Sequence, residues 1–219
     1  MKLYADPMAC SLAAHLSLIA SGLPHEVSWV QHQTWYDPAA KRTDDGRDYL
    51  SVNPKGVVPA LQLDDGSVLT EGCAILQYIG DRAPQSGLVP PAGTMERYRL
   101  QEWLNYIASE LHKAVFILYF NAERQKLLPP QQLRQYALEL LDKRLDYLDS
   151  QLQGRSHLLG DHFSVADAYL LVILNWAAHV KVNLGRWPAI AAYAKALNQH
   201  PAVREVQRRE TEQYLRNAA

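Results

Sequence analysis

Val52-Asn53-Pro54-Lys55-Gly56-Val57-Val58-Pro59-Ala60-Leu61-Gln62-Leu63-Asp64-Asp65-Gly66-Ser67-Val68-Leu69-Thr70-Glu71-Gly72-Cys73-Ala74-Ile75 is the stretch from which the architecture unfolds. Val58 to Leu63 reads as a strand. Asp64-Asp65-Gly66 is a hairpin signal, and Ser67-Val68-Leu69 returns as the partner. A helix then starts near Glu71 and runs to about Ala83. Upstream, Lys2-Leu3-Tyr4-Ala5 is a short strand broken by Asp6-Pro7. From Cys10 to Ala20, Leu12, Leu16 and Ile19 recur at helical spacing, and Gly22 closes the run as a C-cap glycine. Glu26 to Val30 alternates as a strand does, and residues 31–50 read as an irregular polar connection. Strand, helix, strand, connection, hairpin and helix make one small mixed α/β sheet with helices packed on it.

Past Pro84 the character changes. Pro84, Gly87, Pro90, Pro91 and Gly93 mark a linker, and only helical patterns follow. The expected division is 1–83, a linker over 84–93, and an all-α domain over 94–219. Met95 to about Phe120 reads as one long helix. Leu138, Leu141, Leu145, Leu148 and Leu152 stripe a second, which Leu133 opens. Ser164-Val165-Ala166-Asp167 is a capping box before an apolar run to Val182. Two shorter helices are expected around Trp187–Gln199 and Pro201–Arg216.

Composition narrows the function. With 22 Lys+Arg against 23 Asp+Glu, the net charge of -1 lacks the basic footprint of a nucleic-acid binder. No stretch approaches the roughly 18 consecutive apolar residues of a membrane span. Asp6 and Pro7 stand just ahead of the run Met8–Ala20, and Ser11, His15 and Ser17 interrupt it, so it is not an export signal. The two cysteines, Cys10 and Cys73, make no disulfide framework and no zinc spacing with the eight histidines. A cytoplasmic protein with reduced thiols and no metal is expected. GxGxxG, P-loop, GxSxG and HExxH patterns are absent.

Cys10 is the sharpest chemical signal. Between a strand and a helix start, its thiol would meet bare N–H groups and a partial positive charge, which favour thiolate. A buried structural cysteine is the other reading. Ser11 can cap the helix or hydrogen-bond a thiolate. Val58-Pro59 allows an edge proline or a cis bond, and the local sequence by itself favours trans. Glu71-Gly72 opens a helix, where N–H groups suit a carboxylate and Glu71 suits a ligand ammonium or simply the helix dipole. Cys73 reads as core. Asn105, Ser109 and His112 fall on one helix face beside Lys113, either as a polar cleft or as a solvated stripe.

Taken in order, these passages resemble bacterial cytosolic glutathione S-transferases, the beta class most of all. Besides the opening stretch, the resemblance rests on Met8-Ala9-Cys10-Ser11-Leu12, Glu102-Trp103-Leu104-Asn105-Tyr106-Ile107-Ala108-Ser109-Glu110-Leu111-His112-Lys113 and Phe163-Ser164-Val165-Ala166-Asp167-Ala168-Tyr169. It spans essentially the whole chain. It implies a thioredoxin-like N-terminal domain, an all-helical C-terminal domain, a homodimer, and a cis Pro59. Glutathione as co-substrate is implied at Cys10, Lys41, Val58, Glu71, Gly72, Asn105, Ser109, His112 and Lys113. In that scheme Cys10 is catalytic and His112 lies near it, sharing a proton or a hydrogen bond with the thiol pair. Tyr4 and Ser11 match the catalytic hydroxyls of other classes.

The expected activity is conjugation of glutathione to a hydrophobic electrophile, with glutathione-dependent disulfide exchange through Cys10. Phe116, Tyr119 and Trp176 are candidates to line the electrophile pocket. Two departures from the family stand out. Gln31 to Ala40, with Trp35, Tyr36 and Pro38, is longer than the usual connection, and Gly72 replaces a serine common among relatives. The contrasting class is a non-catalytic regulatory module on the same fold, since superfamily members include stress-response partners of RNA polymerase.

Overall fold

A central strand, β1 (Lys2–Ala5), organises the N-terminal sheet. The computed structural model describes residues 1–31, 41–124 and 128–218, so the Trp35-Tyr36-Pro38 excess lies outside the described residues. Helix α1 (Leu12–Ser21) crosses from β1 to the parallel strand β2 (Glu26–Gln31), a right-handed βαβ connection in the usual case. Gly22 ends α1 with φ +70°, and its N–H returns to the Ile19 carbonyl. On the other side of β1 runs the expected hairpin, β4 (Ala60–Gln62) with β5 (Val68–Thr70), both pairings antiparallel. Its turn needs Gly66 at φ +84°. Helix α2 (Gly72–Arg82) follows.

One strand escaped the sequence reading. β3 (Arg42–Thr43) pairs antiparallel with β2, giving the order β3-β2-β1-β4-β5 among the described residues. Two polar residues carry no alternation to detect.

Alternation along β1 sorts the core into two layers. Leu3 and Ala5 face Ala14 and Leu18 of α1 and Ile75 and Ile79 of α2. Tyr4 faces the other way, onto Val30, Tyr49 and Ala60.

The chain divides into two compact units, Met1–Val89 with Gln199–Ala219, and Pro90–Asn198. The last helix, α8 (Pro201–Ala218), thus groups with the sheet and packs on α1, rather than with the helical region assigned to 94–219. Between them, α3 (Met95–Tyr106) passes into a π-wound stretch, Ile107–Ile117, and ends in the short α4 (Leu118–Phe120). The long helix expected there is therefore not one α-helix. α5 (Pro130–Leu152) buries Leu133, Ala137, Leu141, Leu145, Leu148 and Leu152 on one stripe. α6 (Val165–Asn175) is buried from Val165 to Leu174, and α7 (Pro188–Leu197) completes the unit. The apolar run to Val182 outlasts α6, because Ala177 and Val180 stay buried after the helix has ended.

The capping box forms. Asp167, fully buried, accepts from the Ser164 N–H at 2.8 Å and from the Ser164 hydroxyl at 2.6 Å. It also takes the Leu158 N–H at 2.8 Å and the Tyr193 hydroxyl at 2.7 Å, so one carboxylate ties the approach loop, α6 and α7 together. No helix among the described residues is long and apolar enough to cross a membrane.

Candidate active site

Cys10 sits in the turn between β1 and α1, half-buried, and its Sγ donates to the Val58 carbonyl at 3.2 Å. The Val58–Pro59 bond is cis, as the resemblance implies and as the local sequence did not. The two hydroxyls that compete for the thiol's role are both engaged elsewhere. Ser11, fully buried, accepts from the Asp6 N–H and donates to the Asp6 carbonyl, each at 3.0 Å, and makes no cap bond. It therefore closes the turn rather than capping α1 or presenting a donor. The Tyr4 hydroxyl donates to Gln62 Oε1 and accepts from Arg47, both at 3.2 Å.

Glu71 stands at the start of α2 with φ 72° and ψ 118°. For a residue with a Cβ this conformation costs on the order of 1–3 kcal/mol, a strain that concentrates at binding sites. Its exposed carboxylate takes the Lys55 ammonium at 2.6 Å, and Lys55 also reaches Thr70 Oγ1 at 2.9 Å. The site thus already pairs Glu71 with an ammonium group. A Cβ on Gly72 would meet nothing within 4 Å, so the side chain missing there leaves open space. Lys41 is buried, and its Nζ donates to the Gly56 carbonyl at 2.9 Å. Cys73, next along α2, is only half-buried, but burial and the Glu71 charge push its thiol up to about 11. At neutral pH it is protonated and a poor nucleophile.

Sequence reasoning missed Lys55 and Glu210. Glu210 of α8 accepts the Met8 N–H at 2.7 Å and lies 2.9 Å from His15 Nδ1. Met8 takes φ 62°, so a buried carboxylate 202 residues away holds a left-handed turn two residues before Cys10. No local signal announces a pairing that distant.

In the helical unit, the stripe expected from Asn105, Ser109 and His112 is rearranged. Asn105, Ser109 and Lys113 are the exposed residues, whereas His112 is buried with Nδ1 2.6 Å from the Tyr169 hydroxyl. The π winding explains this. Its i→i+5 bonding brings residues four to five apart onto one face and rotates a three-residue step away. Asn105 and Ser109 return bonds to the backbone, to the Gln101 and Asn105 carbonyls. Phe116 and Trp176 meet edge to face, with ring centroids 6.0 Å apart, and Phe120, absent from the sequence list, joins both. Tyr119 packs on Phe120 and under Arg134.

Burial, with the Lys113 charge, pushes His112 down to about 4. An unfolded histidine takes its proton near 6.5, so between those values the unfolded chain binds more protons. Stability is therefore expected to fall as the pH drops from about 6.5 to 4, and this contribution levels off below. Urea midpoints measured across that window for wild type and His112→Gln check it. The wild type should lose more stability than the variant as the pH falls.

Comparison with known proteins gives these features a family. The model of the glutathione S-transferase N-terminal domain matches residues 7–82, and that of the C-terminal domain matches residues 107–201. The chain belongs to the glutathione S-transferase family. A glutathione S-transferase of Escherichia coli O157:H7 is 42% identical over 94% of this chain and 96% of its own. The structure of a sphingomonad glutathione S-transferase complexed with glutathione is 43% identical, with a TM-score of 0.86, covering 96% of this chain and 99% of that one. The beta-class enzyme of Sphingomonas chungbukensis is 40% identical, with a TM-score of 0.85 over 96% and 98%. The thioredoxin-like sheet with a helical C-terminal region is thus the glutathione S-transferase fold, and the transferase is of the bacterial, beta-like kind.

Proposed function

We propose that this transferase binds glutathione as co-substrate, conjugates it to hydrophobic electrophiles, and exchanges disulfides through Cys10. The observation that carries the second activity is the place of the Cys10 thiol, at a helix start and beside the Val58 backbone, with Ser11 and Tyr4 both committed to other partners. Val58 pairs with the cysteinyl backbone of glutathione, and Glu71 and Gly72 hold its γ-glutamyl end. The Lys55–Glu71 pair supports that assignment, because a lysine ammonium and an α-ammonium make the same charge-assisted bond. Lys41, Asn105, Ser109, His112 and Lys113 complete the proposed contacts, and the Phe116–Tyr119–Trp176 aromatics offer the electrophile an apolar surface.

In exchange, the Cys10 thiolate attacks one sulfur of a glutathionyl mixed disulfide. The old S–S bond breaks, the other thiol leaves, and glutathione remains on Cys10. No second cysteine lies nearby in sequence to resolve it, so a second glutathione thiolate attacks that mixed disulfide and leaves as glutathione disulfide. In conjugation the attacking sulfur is glutathione's own, and the protein's part is to stabilise that thiolate. His112, neutral at pH 7, carries no charge there and can serve the thiolate only by donating a ring N–H.

Calorimetry with glutathione, run beside light scattering on the same sample, tests the proposal. One glutathione per chain and a mass near twice 24.7 kDa are expected. Absence of glutathione binding favours the non-catalytic module, and a persistent monomer contradicts the proposed dimer.

A further inference from the structure

Gly56, Val57 and Val58 lie just ahead of β4, where strand pairing has not begun, yet each of their carbonyls is held by a side chain. Gly56 O accepts from Lys41 Nζ at 2.9 Å. Val57 O accepts from both the Tyr49 hydroxyl at 2.9 Å and Asn53 Nδ2 at 2.7 Å. Val58 O accepts from Cys10. A carbonyl oxygen has two lone pairs, and at Val57, itself an exposed residue, side-chain donors take both and fix the peptide plane from two directions.

The donors are themselves anchored. Tyr49 is fully buried among Tyr4, Val30 and Ala60. Asn53, 1% exposed, spends its Oδ1 on the Lys55 N–H at 3.1 Å, which orients the amide so that its nitrogen faces Val57. The Asn53 N–H returns to the Tyr49 carbonyl at 2.9 Å, and the Gly56 N–H to the Asn53 carbonyl at 2.8 Å. Residues 49–57 therefore form a closed frame with its output at the next peptide.

We infer that Tyr49, acting with Asn53, is a positioning residue for the thiol chemistry: its hydroxyl fixes the Val57 carbonyl and so sets the Val58 backbone against Cys10 and glutathione. This rests on the reading of Cys10 and Val58 proposed above. The Tyr49 hydroxyl bonds to the Val57 carbonyl, whereas the Cys10 thiol bonds to that of Val58. The role of Tyr49 runs through one peptide unit, where a small rotation displaces both the acceptor of the Cys10 proton and the atoms that face the cysteinyl backbone.

Tyr49→Phe keeps the ring and removes the hydroxyl. The Michaelis constant for glutathione is expected to rise roughly 3–10-fold, with kcat within about twofold, on the scale of one lost hydrogen bond. Alkylation of Cys10 by iodoacetamide at pH 7 should become faster, because a carbonyl that accepts from the thiol favours its protonated form. Alkylation of Cys73 should not change. Asn53→Asp keeps the acceptor for Lys55 but removes the donor to Val57, and should move the same quantities the same way. Tyr106→Phe is the control, since it deletes a comparable hydroxyl-to-carbonyl bond, to Arg144 at 3.1 Å, inside the helical unit. Unchanged Michaelis constant and Cys10 alkylation in Tyr49→Phe overturn the inference, as does an equal change in Tyr106→Phe. Cys10→Ala, assayed alongside, separates the two claims. If it retains disulfide exchange, the Cys10 reading fails. If it loses exchange while Tyr49→Phe behaves as wild type, only the positioning role fails.

Discussion

Cys10→Ala is expected to lower glutathione-dependent disulfide exchange by at least about a hundredfold, while conjugation of an aryl halide falls only a few-fold. The asymmetry follows from which sulfur does the work. Exchange forms a covalent bond to Cys10, and Cys73, held at about 11 by burial and by Glu71, is no substitute at neutral pH. Conjugation uses glutathione's sulfur, so the variant loses only one neighbour of that thiolate. Side-by-side assays with a mixed disulfide and an aryl halide read the split directly. Equal losses in both would mean that Cys10 shapes the site without serving as a nucleophile.

Asp167→Ala is expected to destabilise the helical unit by about 3–5 kcal/mol, the largest stability effect of a single substitution argued for this chain. Removing the carboxylate leaves the Leu158 N–H, the Ser164 N–H and the Tyr193 hydroxyl without their acceptor inside the protein. Each orphaned donor costs about 1–3 kcal/mol, partly relieved by local movement. At about 2–4 °C per kcal/mol for a chain of this size, scanning calorimetry should show a drop on the order of 10 °C. Asp167→Asn, which keeps the shape and one acceptor oxygen, should lose less. A change under about 1 kcal/mol for Asp167→Ala would show that water replaces the carboxylate without cost.

What could be read from the sequence was local. Gly22, the Asp64-Asp65-Gly66 turn and the Ser164/Asp167 box declare themselves within four residues, and each formed as expected. Apolar periodicity located α5 for the same reason, since a packed stripe must repeat every three or four residues. It failed where the winding changes. Through Ile107–Ile117 the apolar pattern still looks helical, but a π turn shifts the register, so His112 points to Tyr169 instead of standing beside Ser109. Pairings over long sequence distances were invisible too. Nothing near Glu210 announces His15, and nothing near Tyr49, inside a segment read as irregular, announces the Val57 carbonyl. The cis bond at Pro59 came from the resemblance alone, because the local sequence favours trans.

The central claim is that Cys10 is the residue on which glutathione is carried. Incubating the wild-type protein with glutathione disulfide, removing excess reagent and mapping the peptides by mass spectrometry tests it in one experiment. One glutathionyl group per chain at Cys10, none at Cys73, and its removal by added glutathione is the predicted result. An unmodified Cys10, or a glutathionyl group found at Cys73 instead, would contradict the assignment.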